Sequence, residues 1–574
     1  MRSKGRRSMD KPSAETVRET AASIAAITAQ GRLSDLWDLL ERANRFFGSR
    51  DCIAEKQRGR LCVHTVHDLY EDVRALGAAL QQDGFCGAHG AILGENSYAW
   101  IVAFLALTCS GNVAVPLDKE LTAQEIAILS DKADCALGFC SRTYRDHLQR
   151  PGLTCAVFSD SFDGMLSRGR ALLDADPAAF TPRASGSDVA AILFTSGTTG
   201  ANKGVLLTHR NLVSNVDGVL ATNDPVHSAL SVLPMNHAYE LGSTVLPHLL
   251  TGTLICINDR LRNFFQNIET FHPEYIAVVP LFAENIRRFI LSRAQKDGRL
   301  DDLHRRIQES ARLRERGIDR RDTLFTAERE PFGYMFPYLA CGGAPLRAET
   351  AAFLDALGFR LLLGYGLTET SPIVTLNQNA GQYPASVGVP FPFTEVRISE
   401  PDETGVGEVW VRGDNVSPGY YKDERATRES FADGWFMTGD YGRVADGGEL
   451  YITGRKKNLI ILPNGKNVFP EELEYHFISN VQAIRDAVVF ASDRGTDRED
   501  AHILVLAVTL QEGVSDAQSL EMLREEIERC NRLLPVYKRV QDIQFSSVPF
   551  ERTSTRKIIR KAVKNRYDSD GNLA

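Results

Sequence analysis

One stretch, from Val189 to His209, does more than any other to limit the folds open to this chain. It begins with a short apolar run, VAAILF over 189–194, which reads as a buried strand. The run ends in ten residues, TSGTTGANKG, that are mostly glycine and hydroxyl side chains and carry one lysine. Extended character returns over 204–207 (GVLL), and Thr208 is placed to cap a helix starting near His209. A buried strand, a turn-rich loop, a second strand and a capped helix belong to an α/β fold.

The rest of the chain follows the same alternation. Residues 275–279 (YIAVV) read as a strand with a helix after Pro280, and 359–363 (FRLLL) as a strand stopped by Gly364. The apolar stretch 99–108 is too short to span a bilayer and reads as a buried core helix. Residues 293–330 are heavily charged and helical in pattern, as expected of a solvated surface insertion. From about Val396 the texture changes to short runs between glycine-rich turns, such as 408–412 and 450–453, which predicts antiparallel β structure. Lys456, Lys457 and Asn458 form a charged link, and Pro470 with Glu471 and Glu472 suits a helix N-terminus. These features divide the chain into a tail over 1–30, a large unit over 31–456 with a β-rich part about 385–453, and a small unit over 457–574.

At 574 residues the chain is long enough for several packed units. A formal net charge of −8 argues against a dedicated nucleic-acid binder. The 10 cysteines include no C-x-x-C pair and read as reduced thiols of a cytoplasmic protein. The basic segment 1–7 lacks the apolar run of a secretory signal. It reads as a tail capable at most of weak peripheral contact with an anionic membrane.

The decapeptide from Thr195 to Gly204 is a phosphate-holding loop by chemistry. Glycines let backbone N–H groups approach phosphate oxygens, the hydroxyls of Thr195, Ser196, Thr198 and Thr199 add donors, and Lys203 adds charge. It is not a Walker loop, because Asn202 precedes the lysine and Gly204 follows it. TSGTTG-x-x-KG resembles the phosphate loop of the adenylate-forming superfamily: acyl-CoA synthetases, firefly luciferases and the adenylation domains of nonribosomal peptide synthetases. Further matches follow in the family's order. They are LPMNH at 233–237, GGAPL at 342–346, GYGLTET at 364–370, TGD at 438–440, GR at 454–455 and a late lysine in TSTRK at 553–557. The resemblance covers roughly residue 35 to the C-terminus.

That resemblance implies a large N-terminal domain of stacked α/β sheets, a small β-barrel-like subdomain and a small mobile α+β C-terminal domain. It also implies site roles. Thr195, Ser196, Gly197, Thr198, Thr199, Gly200 and Lys203 would hold the phosphates of ATP. Gly343, Ala344 and Pro345, with Gly364, Tyr365, Gly366 and Thr368, would form the adenine and α-phosphate side. Asp440 and Arg455 would hold the ribose, and Glu369 would bind Mg²⁺, a hard cation that takes oxygen ligands. His237, Tyr239 and Gly342 would border the acyl pocket. Lys557 would carry the first half-reaction; there the family often has glycine before the lysine, and this chain has Arg556. Lys457 matches the hinge, and Asn464-Gly465 would face the pantetheine tunnel after rotation.

The expected reaction joins a carboxylic acid to AMP with release of pyrophosphate, then transfers the acyl group to CoA. The run HAYE at 237–240 and the segment around GIDRR at 317–321 resemble long-chain acyl ligases, pointing to a medium- or long-chain fatty acid. An acyl-carrier protein as acceptor, an aromatic or steroidal acid, and a non-catalytic acyl or nucleotide sensor are the alternatives. No H-E-x-x-H or Cys–His cluster suggests zinc.

Overall fold

The computed structural model describes residues 14–57, 59–148, 152–195, 202–332, 338–377, 386–462, 466–492, 503–511, 517–552, 558–570 and 573. Among these, two large sheets dominate. A six-stranded sheet is parallel apart from the strand Lys203–Thr208, which returns antiparallel beside Val189–Thr195. A nine-stranded sheet has a parallel centre, in which Tyr275–Val278, Tyr338–Cys341 and Arg360–Gly366 lie side by side.

Helices between the two sheets form the main core. Tyr98–Cys109 is buried along almost its whole length, as its uninterrupted apolar sequence requires, with Ser97 capping its first turn. His209–Thr222 starts at Thr208, whose side chain and that of Asn211 cap each other's backbone. The other face of the nine-stranded sheet is covered by helices including Pro280–Lys296 and Ala348–Ala356. A five-stranded antiparallel sheet follows, in which Trp435–Val444 pairs with both Gly407–Gly413 and Leu450–Arg455. Beyond a short helical turn, Lys456–Asn458, the three-stranded sheet of the C-terminal part has its own core around Leu473, Phe477, Val489 and Ile527.

Three expectations change. Gly364 does not stop its strand, which runs on to Gly366. There the strand exchanges its parallel neighbour for the antiparallel strand Ile373–Leu376, and Gly364 and Gly366 sit opposite Leu376 and Ile373. A Cβ on Gly366 would lie 1.8 Å from the Pro372 carbonyl oxygen, so only glycine allows this crossing. The charged segment 293–330 is not merely solvated: Leu303 and Phe325 are buried, and Arg306 pairs with the buried Glu328 at 2.8 Å. The N-terminal region is helical over Ala14–Ala29, with Ile27 buried in the main core and Thr20 accepting from Arg50 at 2.7 Å.

Candidate active site

The loop over 196–201 lies outside the described residues, but both its ends are placed. Thr195 and Lys203 face each other in register across the antiparallel pair. The Lys203 ammonium lies 4.5 Å from the ring centroid of Tyr420, a cation–π contact. Tyr420 in turn donates its hydroxyl to Glu369 Oε1 at 2.8 Å. Burial, and then the Glu369 charge, push the Tyr420 phenol well above its ordinary range, so it stays a donor. Backbone bonds fix this alignment. Leu206 N–H donates to Gly419 O at 3.0 Å, Tyr421 N–H to Gly204 O at 2.7 Å, and Ser417 N–H to Glu369 O at 2.9 Å.

Glu369 sits in the short turn Thr368–Thr370, just beyond the strand crossing. The buried Asn215 holds this turn from the helix below. Its Nδ2 donates to Thr370 O at 3.2 Å and its Oδ1 accepts from Ile373 N–H at 3.0 Å.

Asp440 is 3% exposed and clamped between two partners. Tyr365 donates its hydroxyl to Oδ2 at 2.7 Å, and Arg455 Nε pairs with Oδ1 at 3.1 Å. Asp440 and Arg455 are register partners on neighbouring strands, which is why two short motifs fifteen residues apart meet. Burial and the Asp440 charge hold the Tyr365 phenol above its ordinary range. Gly343, Ala344 and Pro345 form an exposed strip, and Gly343 has φ +83°, where a Cβ would meet only Val279 Cγ1 at 3.8 Å. Lys457 follows Arg455 in the connecting turn; burial, reinforced by the Arg455 charge, lowers its ammonium pKa.

His237 and Tyr239 stand where the chain turns into a helix. The Tyr239 hydroxyl donates to Ala340 O at 2.8 Å, and its ring lies within contact distance of a Cβ built on Gly342. Behind Gly342, Ala277, Ala340 and Leu362 continue an apolar surface of the same sheet towards a small cavity bounded by Val219, Val226, His248 and Tyr338. The helix over this surface contains a wide turn, Leu241–Val245, closed by Leu246 N–H on Leu241 O.

Two residues here were not singled out in the sequence as anchors. Asn96 accepts from Met235 N–H at 3.0 Å and donates to Leu233 O at 2.8 Å. Glu240, fully buried, accepts from Thr244 at 3.3 Å. Burial pushes its carboxyl up to about 8, tempered by the Ser231 hydroxyl and the Val232 and Leu233 amides. The two Asn96 bonds brace the 231–237 loop.

The match to known proteins agrees with this geometry. Residues 40–421 match the AMP-binding enzyme family, and 457–570 match the AMP-binding enzyme C-terminal domain. The chain belongs to the AMP-binding enzyme family. Among relatives in that family, the long-chain-fatty-acid–CoA ligase FadD15 of Mycobacterium bovis is 26% identical over 561 residues, 88% of this chain and 91% of its own. Long-chain-fatty-acid–CoA ligase 1 of Homo sapiens is 30% identical over 454 residues, 70% of this chain and 63% of its own. ATP-bound MatB from Rhodopseudomonas palustris shares the fold with a TM-score of 0.73 at 23% identity, over 92% of this chain and 98% of that one.

Of the residues expected at the site, the structure brings Lys203 to Glu369 through Tyr420, Tyr365 and Arg455 to Asp440, and Tyr239 to Gly342. Ser196, Gly197, Thr198, Thr199, Gly200, Asn464, Gly465 and Lys557 lie outside the described residues. No group of three or more metal-ligating side chains occurs among the described residues, and no described helix is long and apolar enough to cross a membrane.

Proposed function

We propose that this protein is an AMP-forming acyl-CoA synthetase acting on a medium- or long-chain fatty acid. The observation that carries the reading is the line Lys203–Tyr420–Glu369, which sets the loop lysine and a carboxylate on one tyrosine at the edge of the Asp440 clamp. In the reaction a carboxylate oxygen of the acid attacks the α-phosphorus of ATP. The α–β phosphoanhydride breaks, pyrophosphate leaves, and acyl-AMP forms. The thiol sulfur of CoA then attacks the acyl carbon, loses its proton, and AMP departs.

Both steps bring anions together, so positioning and fixed charge supply most of the acceleration. Lys203 and the loop amides hold phosphates, and Asp440 accepts from the ribose hydroxyls with Arg455 and Tyr365 keeping its carboxylate in place. The exposed strip Gly343–Pro345 leaves room for adenine beside Tyr365, and Thr368, Gly364 and Gly366 shape the α-phosphate side. Glu369 suits Mg²⁺ as one hard oxygen donor, with phosphate oxygens and water completing the shell; the ion would neutralise phosphate charge. His237, Tyr239 and Gly342 border the entry of the acid, and the apolar surface behind Gly342 suits an aliphatic tail. We assign the catalytic cation of the first step to Lys557, the hinge to Lys457, and the small domain to 457–574. The relatives' names support the fatty acid and CoA.

The test is pyrophosphate release from ATP with straight-chain acids of graded length, with and without CoA, for wild type and Lys557→Ala. Release with the longer acids, CoA consumption, and a loss of ~10²–10³-fold in the variant are expected. No release with any acid would end the enzyme reading.

A further inference from the structure

Arg347 follows the strip Gly343–Pro345 by two residues and is only 9% exposed, yet it does not turn inward to the site. It crosses to the C-terminal part. Its Nη2 donates to the carbonyls of Ile484 at 2.5 Å and Arg485 at 2.9 Å, while its Nε pairs with Glu284 of the large domain at 3.0 Å. The next residue, Asp486, is close enough for its charge to raise the Glu284 carboxyl pKa, an effect that adds to burial. Asp486 pairs with Arg552 at 2.5 Å and accepts from Thr509 at 2.9 Å. Arg552 is five residues ahead of Lys557 and bridges to Ile558 on the far side of the intervening segment.

Thus one guanidinium joins a carboxylate of the large domain to two carbonyls of the small one, next to a second carboxylate, Asp486, whose charge opposes that of the first. The same contacts tie the adenine strip to the strand that anchors the Arg552–Ile558 bridge.

We propose that Arg347 is a positioning residue that latches the small domain in the orientation used for acyl-adenylate formation. The proposal rests on the acid-activating reading and adds a residue that governs one of its two steps. Replacing Arg347 with alanine takes from Glu284 its nearest cation, leaving Arg288 at 3.7 Å, and removes two carbonyl contacts, so this orientation weakens. The orientation that accepts CoA does not depend on the latch.

The experiment measures the half-reactions separately in the full-length protein: acyl-AMP formation by rapid quench, and transfer to CoA from supplied acyl-AMP. Arg347→Ala is expected to slow the first at least about tenfold, the size of about 1.4 kcal/mol, and to leave the second within about threefold. The double variant Arg347→Ala/Glu284→Gln, which removes the repulsion, is expected to recover part of the first. Melting curves of both variants check that the fold is kept. An equal fall in both steps, a fall in transfer alone, or no change in either would overturn the proposal. Absence of acid-dependent pyrophosphate release from the wild type would overturn the acid-activating reading too, and is told apart because it appears before any substitution.

Discussion

The nucleotide side and the acid side of the site treat carboxylates in opposite ways. Asp440 is buried but meets a guanidinium and a phenol, and Glu369 meets a phenol next to an ammonium. Glu240 is buried among hydroxyl and amide donors, with no cation among the groups that shift its titration. The first arrangement keeps charge available for a polar ligand. The second keeps a carboxyl near neutrality beside an apolar surface, where an unpaired charge would be expensive. Phosphates and an aliphatic chain need these two environments side by side.

The sharpest way to break this contrast is Glu369→Gln. If the nucleotide side works through charge, acid-dependent pyrophosphate release should fall ~10²-fold or more while folding is retained. An activity within a few-fold of wild type would mean that the carboxylate only positions Tyr420.

The second effect is on stability. The Glu240 carboxyl sits at about 8 against an ordinary 4.5. Between those values the unfolded chain has released the proton and the folded chain keeps it. Stability should therefore fall as pH rises from about 4.5 to about 8 and level off above, by at most about 1.4 kcal/mol per pH unit. Glu240→Gln removes this dependence. The variant's Tm relative to wild type should rise between about pH 5 and pH 8, and a constant difference would show that Glu240 ionises as freely in the folded chain.

The smallest effect should come from Asn96→Ala. It leaves Leu233 O and Met235 N–H without their side-chain partner, and partial access of water limits the loss to about 1–2 kcal/mol. A denaturant titration measures that loss. A raised KM for the acid with the KM for ATP unchanged would place the effect on the acid side, and an equal change in both would break the comparison.

The same contrast explains how much could be read in the sequence. The nucleotide side is made of short motifs whose atoms meet their neighbours in the chain or in register. Thr195 faces Lys203, and Asp440 faces Arg455, so residue type and spacing carried the information. The acid side depends on a pair far apart, Asn96 with Met235, 139 residues away, and so does the turn that carries Glu369, where Asn215 binds Ile373, 158 away. Nothing in a single asparagine announces such a partner. Tyr420 was hidden for a related reason, since its role comes from an isolated bridge that brings this loop residue to Val205, 215 positions earlier in the chain. Gly364 misled because a glycine that ends one strand pairing and one that permits a change of partner look alike in sequence.

The wide turn Leu241–Val245 has a consequence for how this chain can vary in length. Each helical residue advances the following side chains by about 100°, and the turn holds one residue more than an α-helical turn would. Downstream, His248 is packed on Tyr275 with ring centroids 4.6 Å apart, and its Nδ1 is 2.7 Å from Thr244 O. Deleting one residue within the turn would restore an ordinary α-helical turn and keep that ring on the sheet, whereas inserting one would swing it by about 100°. A one-residue insertion should therefore be ruinous here while a one-residue gap is absorbed, and the exposed turn near Gly317 has room for either.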